Sequence, residues 1–316
     1  MLVYALVFIA SISLLVLAGK WLVDGLIKMA AFLKVREFII AFFIVAVAGS
    51  MPNFFFGIIS ALKGVPQLAF GDTIGGNLAD LTVIVALSVI FSKGLPARSK
   101  MVQSSAIFTA IIAVLPILLI FDGVLSRSDG MVLIFSFVFY AFWLFSKKDR
   151  FSKSYNGSKT PIEGLKGFFK GFGKVLMAVG IILLASKGMV EVGSYLAFNL
   201  NIPLVLVGML IVGLGNCFPE AYFTVISARK GENWMLLGDL MGVVIVASTL
   251  VLGTVALICP IVIESFSPYF VARVFLILAA LFFLVFVRTD RKITKKEGLF
   301  LLSLYILFVI IEVLIK

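Results

Sequence analysis

Two polar side chains lie within otherwise apolar sequence, and each directly follows a proline. Asn53 and Glu220 occupy these positions. Because proline removes a backbone donor and clashes with the carbonyl group four residues earlier, the helices are expected to unwind around residues 49–52 and 215–219. Freed carbonyl groups, carboxylates and amides are the oxygen ligands that Ca²⁺, Mg²⁺ and Na⁺ take, whereas softer metals favour histidine and clustered thiols. The pattern therefore predicts a site for a hard cation.

Aspartates that follow a glycine form a second motif. Asp72 and Asp239 each have a glycine immediately before them and another three residues later, and Asp80 lies further along the first copy. A carboxylate at the centre of a bilayer costs roughly 2.5–3.5 kcal/mol on insertion scales, so Asp80 and Glu220 are expected to have a function. For Asp72 and Asp239, helix packing or gating competes with direct ligation of an ion.

Both motifs occur twice, at a constant spacing of 167 residues. The matched pairs are Asp24 and Glu191, Gly49 and Asn216, Pro52 and Pro219, Asn53 and Glu220, Gly71 and Gly238, Asp72 and Asp239, and Gly75 and Gly242. Self-similarity at one offset is the signature of an internal repeat. Residues 1–147 and 168–316 are therefore predicted to be two copies of one unit, joined by a polar linker at 148–167.

The elements that must position these motifs are predicted to be membrane-spanning helices. The chain is 62% hydrophobic and 14% charged, whereas soluble domains are about 45–50% apolar and about 25% charged. Since a spanning helix needs roughly 20 apolar residues, we expect an all-α integral membrane protein with ten spans. They lie near residues 2–30, 37–62, 68–92, 101–121, 130–147, 168–198, 203–228, 235–260, 268–288 and 297–315. Because each copy then has an odd number of spans, the second should be inverted relative to the first, with the broken helices meeting at the midplane.

Basic residues are concentrated in alternate loops. A net charge of +11 would indicate a nucleic-acid partner in a soluble protein, but here the distribution follows the positive-inside rule. It predicts a plasma-membrane protein with both termini outside, a cytoplasmic 148–167 linker and no nucleic-acid partner. Within the first and sixth spans, Lys20 with Asp24 and Lys187 with Glu191 are predicted to form ion pairs. Histidine is absent, which excludes a histidine proton relay and a Ser/His/Asp triad.

Together the motifs resemble those of the cation/Ca²⁺ antiporter superfamily, which includes the sodium/calcium exchangers. The resemblance covers the whole chain and rests on a Gly-Ser-x-Pro motif ending at Asn53 and a Gly-x-x-x-Gly-x-x-x-x-Asp motif ending at Asp80. It implies that these segments face a transported ion. The implied ion-facing residues are Ser50, Asn53, Asp80 and Glu220, with further contributions from Gly49, Asp72, Asn77, Asn216, Cys217 and Asp239.

Several positions depart from the family pattern. Asn53 stands where the family has glutamate. Gly49 and Asn216 replace its threonines, and Ala247 replaces a carboxylate or amide. The two central carboxylates that remain can balance one divalent ion or two monovalent ions. Ion choice, stoichiometry or both are therefore expected to have diverged.

The resemblance implies a transporter, not an enzyme. It would exchange Ca²⁺ or another divalent cation for Na⁺ or H⁺ by alternating access, as the first and sixth spans slide across the others. Its partners would be inorganic cations and the lipid bilayer, and no resident cofactor is expected. Two alternatives remain open: a transport-inactive sensor derived from an exchanger, and an intramembrane aspartyl protease built on Asp72 and Asp239.

Overall fold

The computed structural model describes residues 2–32, 47, 49–92, 94–146, 161–230, 233–263, 266–289 and 291–315. The protein is almost entirely helical, as its composition predicts. The described residues include nine helices that are long and apolar enough to cross a membrane. The remaining predicted span, 37–62, is described in part as the shorter apolar helix Met51–Leu62, and most of its first half lies outside the described residues.

The first half of the chain is built from long helices joined by short turns and strands. Its helices are α1 (Leu2–Phe32), α2 (Met51–Leu62), α3 (Pro66–Ala79), α4 (Val85–Phe91), α5 (Lys100–Leu119) and α6 (Arg127–Ser146). A π-helical turn, Asp80–Ile84, joins α3 to α4, and a 3₁₀ turn, Ile120–Asp122, follows α5. The strands are β1 (Leu95–Pro96) and β2 (Val124–Leu125).

The second half has a corresponding set of elements. Its helices are α7 (Pro161–Leu200), α8 (Leu204–Val207), α9 (Gly213–Asn216), α10 (Phe218–Lys230), α11 (Asn233–Val246), α12 (Leu252–Ile258), α13 (Phe266–Arg288) and α14 (Lys295–Ile315). Two π-helical turns join α8 to α9 (Gly208–Val212) and α11 to α12 (Ala247–Val251). The strands are β3 (Ile261–Val262) and β4 (Lys292–Ile293).

The 167-residue spacing recurs in the backbone itself. The helix, π-turn and helix of residues 66–91 reappear with the same internal bounds at residues 233–258. The starts of α6 and α14 also correspond, because each carries a capping box in which a hydroxyl and a carboxylate satisfy free backbone N–H groups. Ser126 pairs with Asp129 in the first, and Thr294 pairs with Glu297 in the second.

The short strands connect the two halves. β1 pairs with β4 in antiparallel register, with Leu95 opposite Ile293. β2 pairs in the same sense with β3, with Val124 opposite Val262. Each strand of the first half therefore takes its hydrogen-bonding partner from the second half, which holds the loops of the two halves together.

Apolar packing divides the protein into a large cluster and a smaller one. The large cluster joins α3 to α6 with α10 to α14 and includes the fully buried Phe70 and Phe283. The smaller cluster lies mainly between α1 and α7, where Leu15 and Ile182 are buried. Helices α1 and α7 therefore pack along each other and share little of the main core. Elsewhere, large side chains such as Phe142 are exposed, as expected for helices that contact lipid.

The ion pairs predicted within the first and sixth spans are wrong. Asp24 of α1 pairs with Lys174 of α7 at 3.4 Å. Glu191 of α7 pairs at 3.0 Å with Lys63, the residue that follows α2. Because α1 and α7 pack side by side, each acid meets a lysine of a neighbouring segment in place of the lysine four residues earlier on its own helix.

Candidate cation site

Each predicted helix break is confined to one residue. Ser50 separates α2 from the helical residue before it, and Cys217 separates α9 from α10. Their backbone angles are almost the same, φ −80° and ψ −3° for Ser50 and φ −78° and ψ −7° for Cys217. The expected unwinding over residues 49–52 and 215–219 is therefore too extensive.

The position of the prolines explains why the breaks are short. Pro52 lies in the first turn of α2, where a backbone N–H has no partner within the helix and its loss costs little. Across the second break, the N–H of Cys217 still donates to the carbonyl oxygens of Gly213 at 3.1 Å and Leu214 at 3.2 Å. The second break therefore keeps its backbone hydrogen bonds to the preceding turn.

A second irregularity, which the sequence analysis missed, lies at Asp80. This residue begins the π-turn between α3 and α4, and Ala247 begins the equivalent turn in the second half. In both turns a threonine hydroxyl donates to the carbonyl oxygen four residues earlier, from Thr82 and from Thr249, at 2.5 Å. Single π-turns inside helices often occur at functional sites. The turn places the Asp80 carboxylate where the regular helix is interrupted.

Five of the predicted residues present buried oxygen atoms that have no hydrogen-bond partner among the described residues. These atoms are Asn53 Oδ1, Asn77 Oδ1, Asp80 Oδ1, Asn216 Oδ1 and Glu220 Oε2. Buried polar atoms in native proteins are nearly always paired, so each unpaired atom calls for an explanation. Oxygen acceptors of this kind are the ligands of a hard cation.

The four acids of the motifs influence one another electrostatically. Asp80 and Glu220 repel each other, and both are repelled by Asp72 and Asp239. The ion pairs found in the described part of the chain involve other acids and do not neutralise these four. A buried charge without a partner is costly. A bound cation would remove this repulsion.

The carboxylates do not form a complete metal cage by themselves. Within the described ranges, no three histidine, cysteine, aspartate or glutamate side chains converge closely enough to hold a metal ion. A cation would therefore need amide, hydroxyl or backbone oxygens in addition to the carboxylates. The unpaired amide oxygens of Asn53, Asn77 and Asn216 are such atoms.

Glycines allow α3 to cross the α8–α9 segment with the two backbones in contact. A Cβ atom at Gly71 would meet the carbonyl oxygen of Val205, and one at Gly75 would meet that of Met209. In the α8–α9 segment, a Cβ atom at Gly208 would lie 2.5 Å from a backbone carbonyl oxygen of α3. Small residues at such crossings let membrane helices approach closely.

This crossing brings Asp72 and Asn216 together. The side-chain amide of Asn216 donates to Asp72 Oδ1 at 2.8 Å, and both residues are buried. Asn77 is fixed in a similar way, because its amide donates to the hydroxyl of Ser248 at 2.7 Å. Ser248 was not predicted, since no spacing in the sequence relates it to Asn77.

The remaining predicted residues lie around the same breaks. A Cβ atom at Gly49 would be 4.0 Å from Asp239 Oδ1, so the first break lies next to the second aspartate motif. Ser50 is fully buried, and Asn53 lies one helical turn after it. The structure therefore links the first break to Asp239 and the second break to Asp72.

Comparison with known proteins identifies the family. Residues 3–146 and 170–314 match the family described as sodium/calcium exchanger protein. The chain belongs to the sodium/calcium exchanger family. It is 25% identical to the sodium/calcium exchanger MaX1 of Methanosarcina acetivorans over 97% of each chain. It is 24% identical to the inner membrane protein YrbG of Escherichia coli over 82% of this chain and 81% of the relative.

Solved structures share the fold. The chain superimposes on the sodium-calcium exchanger NCX_Mj soaked with Na⁺ and Sr²⁺ with a TM-score of 0.69 and 21% sequence identity, covering 98% of both chains. The same exchanger in a form soaked without Ca²⁺ gives a TM-score of 0.69 at 22% identity. As a member of the sodium/calcium exchanger family, the protein is a membrane transporter and not an intramembrane aspartyl protease.

Proposed function

We propose that this exchanger-family protein is an antiporter that moves Ca²⁺ or another divalent cation in exchange for Na⁺ or H⁺. The observation that carries the proposal is the pair of buried, unpaired carboxylate oxygens, Asp80 Oδ1 and Glu220 Oε2, on acids that repel each other. Family membership supports cation exchange as the activity. The choice of ions follows from the oxygen-rich surroundings, which suit hard cations.

In the proposed site, Asp80 and Glu220 supply the negative charge and neutral oxygens complete the coordination. Ca²⁺ takes about six to eight oxygen ligands, and the side chains of Ser50, Asn53 and Asn77 are the first candidates for the neutral ones. Of these, Asn53 and Asn77 have unpaired buried oxygens. Backbone oxygens beside the helix breaks would supply further ligands.

Asp72 and Asp239 have a different role in this proposal. One oxygen of Asp72 is already held by the amide of Asn216, so Asp72 positions the second break and adds negative potential. Asp239 lies beside Gly49 and adds negative potential beside the first break. Both acids favour entry of a cation, while Asp80 and Glu220 supply most of the negative charge that balances it.

The proposed architecture is ten spans arranged as two inverted repeats, 1–147 and 168–316, joined by a cytoplasmic linker at 148–167. The repeated element bounds and the pairing of strands between halves support it. Opposed helix breaks near the membrane midplane are the usual form of an ion site in secondary transporters. In a plasma membrane, the basic loops would place both termini outside.

Alternating access would involve α1 and α7 sliding together over the other helices. Their shared apolar cluster, which is separate from the main core, supports this view. Two packed helices can move as one body when their contacts with each other exceed their contacts with the rest. The ion pair between Asp24 and Lys174 would travel with them, because it joins α1 to α7.

Transport into proteoliposomes tests the proposal. Radiolabelled Ca²⁺ or Mg²⁺ uptake is measured under an imposed Na⁺ gradient and, separately, an imposed H⁺ gradient. Glu220→Gln and Asp80→Asn each remove one proposed charge, whereas Asp122→Asn changes an exposed acid on the 3₁₀ turn. We expect gradient-driven uptake in the wild type and in the Asp122 variant, and its loss in the other two. Undiminished uptake in both charge variants would overturn the site, and no uptake of any cation by the wild type would favour a transport-inactive sensor.

A further inference from the structure

One ion pair crosses the boundary between the α1–α7 pair and the rest of the protein. Glu191 of α7 meets Lys63, the residue that follows α2, at 3.0 Å. The ion pair of Asp24 with Lys174 instead joins α1 to α7 and lies within the pair. When α1 and α7 slide as one body, the contact of Lys63 with Glu191 must therefore break, whereas that of Asp24 with Lys174 is kept.

The 167-residue repeat gives this boundary contact a counterpart. Adding 167 carries Asp24 to Glu191 and Lys63 to Lys230. Lys63 directly follows α2, and Lys230 is the last residue of α10, the helix that begins at the second break as α2 begins at the first. The structure pairs the lysine of the first half with the acid of the second half. The exchanged combination is Asp24 with Lys230.

These two combinations belong to opposite ends of the α1–α7 pair. The rings of Tyr4 and Tyr195 stack with their centroids 3.5 Å apart and their planes within 8°, so the start of α1 lies beside the end of α7, close to Glu191. Asp24 lies toward the other end of α1, roughly 30 Å away at about 1.5 Å per helical residue. In the proposed topology, the Tyr4 end is the outer end and the Asp24 end is the inner one.

The seam between the end of α2 and α7 is loosely packed on both sides of the Lys63–Glu191 contact. One cleft, of about 360 Å³, is lined by Tyr4, Lys63, Val65, Glu191 and Ser194. A second, of about 390 Å³, is lined by Ile59, Leu62, Lys63, Leu183, Leu184 and Lys187. Filled protein interiors contain few voids of this size. The ion pair therefore bridges two surfaces that can separate without breaking a filled core.

Lys187 indicates the direction of the slide. It lies one turn before Glu191 on α7 and lines the same cleft as Lys63. A slide of one turn, about 5.4 Å, toward the outer end would bring Lys187 to Lys63, and two like charges repel each other. A slide toward the inner end separates Glu191 from Lys63 without this repulsion. By the symmetry of the repeat, the inward slide also carries Asp24 toward Lys230.

We propose that Lys63 with Glu191 and Asp24 with Lys230 are alternating latches, one at each face of the membrane, and that only one is closed at a time. This inference rests on the proposed alternating access and adds the contacts that hold its two end states. The structure shows the outer latch closed. In the opposite state Asp24 accepts Lys230 and keeps Lys174, because a carboxylate has two oxygens that accept hydrogen bonds.

Cross-linking of the full-length protein tests the latches. The outer pair is Lys63→Cys with Glu191→Cys, the inner pair is Asp24→Cys with Lys230→Cys, and a four-cysteine variant carries both. A bis-methanethiosulfonate reagent with a short spacer joins thiols that come close together, and intact mass spectrometry counts the links. The matched control is Tyr4→Cys with Tyr195→Cys, which joins α1 to α7 and does not cross the seam. Wild type treated with the reagent controls for the native cysteines.

We expect each double-cysteine variant to form its link, and the four-cysteine variant to lose the inner link once the outer one has formed. Either seam link should abolish gradient-driven uptake into proteoliposomes, whereas the link between positions 4 and 195 should leave it intact. Both seam links in one molecule, absence of the inner link, or uptake that continues across a seam link would overturn the latches. Mutually exclusive links in a protein that transports no cation would refute only the proposed transport.

Loss of the outer latch alone should change the balance of the two states modestly. The side chains of Lys63 and Glu191 are 36% and 52% exposed, so water screens their attraction. Glu191→Gln should therefore speed inner cross-linking by up to about fivefold. Lys63→Gln should have the same effect, and the two changes together should add nothing further. Asp122→Asn, an exposed acid on the 3₁₀ turn, should leave the rate unchanged; an unchanged rate in both latch variants would refute the outer latch.

Discussion

Replacing Gly71 by alanine is expected to separate α3 from the α8–α9 segment. The new Cβ atom would meet the carbonyl oxygen of Val205, and it would lie 2.9 Å from the backbone nitrogen of Met209. Neither atom can rotate away, because both belong to the backbone. An ordinary contact begins at 3.4 Å, so the helices must separate by about 1 Å, which would stretch the Asn216–Asp72 hydrogen bond beyond its usual range.

The size of the effect follows from two opposing terms. Overpacking of a filled interior costs typically about 1–3 kcal/mol, and a clash with backbone lies at the upper end. Alanine in a helix is more favourable than glycine by about 1 kcal/mol. The expected net loss in Gly71→Ala is therefore about 2 kcal/mol, a factor of about 30 in the ratio of folded to unfolded protein.

Thermal unfolding in detergent, combined with Ca²⁺ uptake into proteoliposomes, measures both consequences. The matched control is Gly180→Ala in α7, because no described atom lies within 4 Å of a Cβ atom there. That variant should be neutral or more stable by up to about 1 kcal/mol and should transport normally. Equal stability and equal uptake rates for the two variants would show that the close crossing does not position the site.

Two further pairs give predictions of their own. Removing the Lys63–Glu191 ion pair by Glu191→Gln should lower the free energy of unfolding by less than about 1 kcal/mol, because the two side chains are 36% and 52% exposed and water screens their charges. A double-mutant cycle on thermal unfolding measures the coupling between the two residues, and a coupling above about 2 kcal/mol would contradict this expectation. Asn216→Ala should destabilise the protein by about 1–3 kcal/mol, since Asp72 loses its buried donor. The exchange Asp72→Asn with Asn216→Asp reverses donor and acceptor, so it should recover much of that loss; no recovery in the unfolding curve would argue against the hydrogen bond as its cause.

The acids of the site could be predicted from the sequence because each is an exception to its surroundings. Asp80 and Glu220 interrupt apolar segments, and such residues are rare within membrane spans. The amide and hydroxyl partners were harder to predict. Ser248 belongs to no recognisable sequence pattern. The hydrogen bond that it accepts from Asn77 joins residues that are far apart in the chain.

Local geometry also escaped prediction at several points. The prolines indicated unwound segments, but a proline in the first turn of a helix fits without unwinding it. The π-turn at Asp80 has no counterpart in the hydrophobic pattern, since one extra residue in a turn leaves the composition unchanged. The ion pairs of Asp24 and Glu191 depend on which helices pack together, and the sequence within each helix does not contain that information.

Composition and the 167-residue repeat determined, without coordinates, that the chain is a helical membrane protein with two related halves and polar motifs inside its spans. These properties follow from local chemistry, because apolar length and residue spacing can be read along one segment. Only the tertiary structure decided which oxygen atoms of the described residues remain unpaired, that Asn216 holds Asp72 and that Cys217 lies against Gly76. Those relations join residues from different helices, and their distances are set by how closely glycine-lined backbones pack.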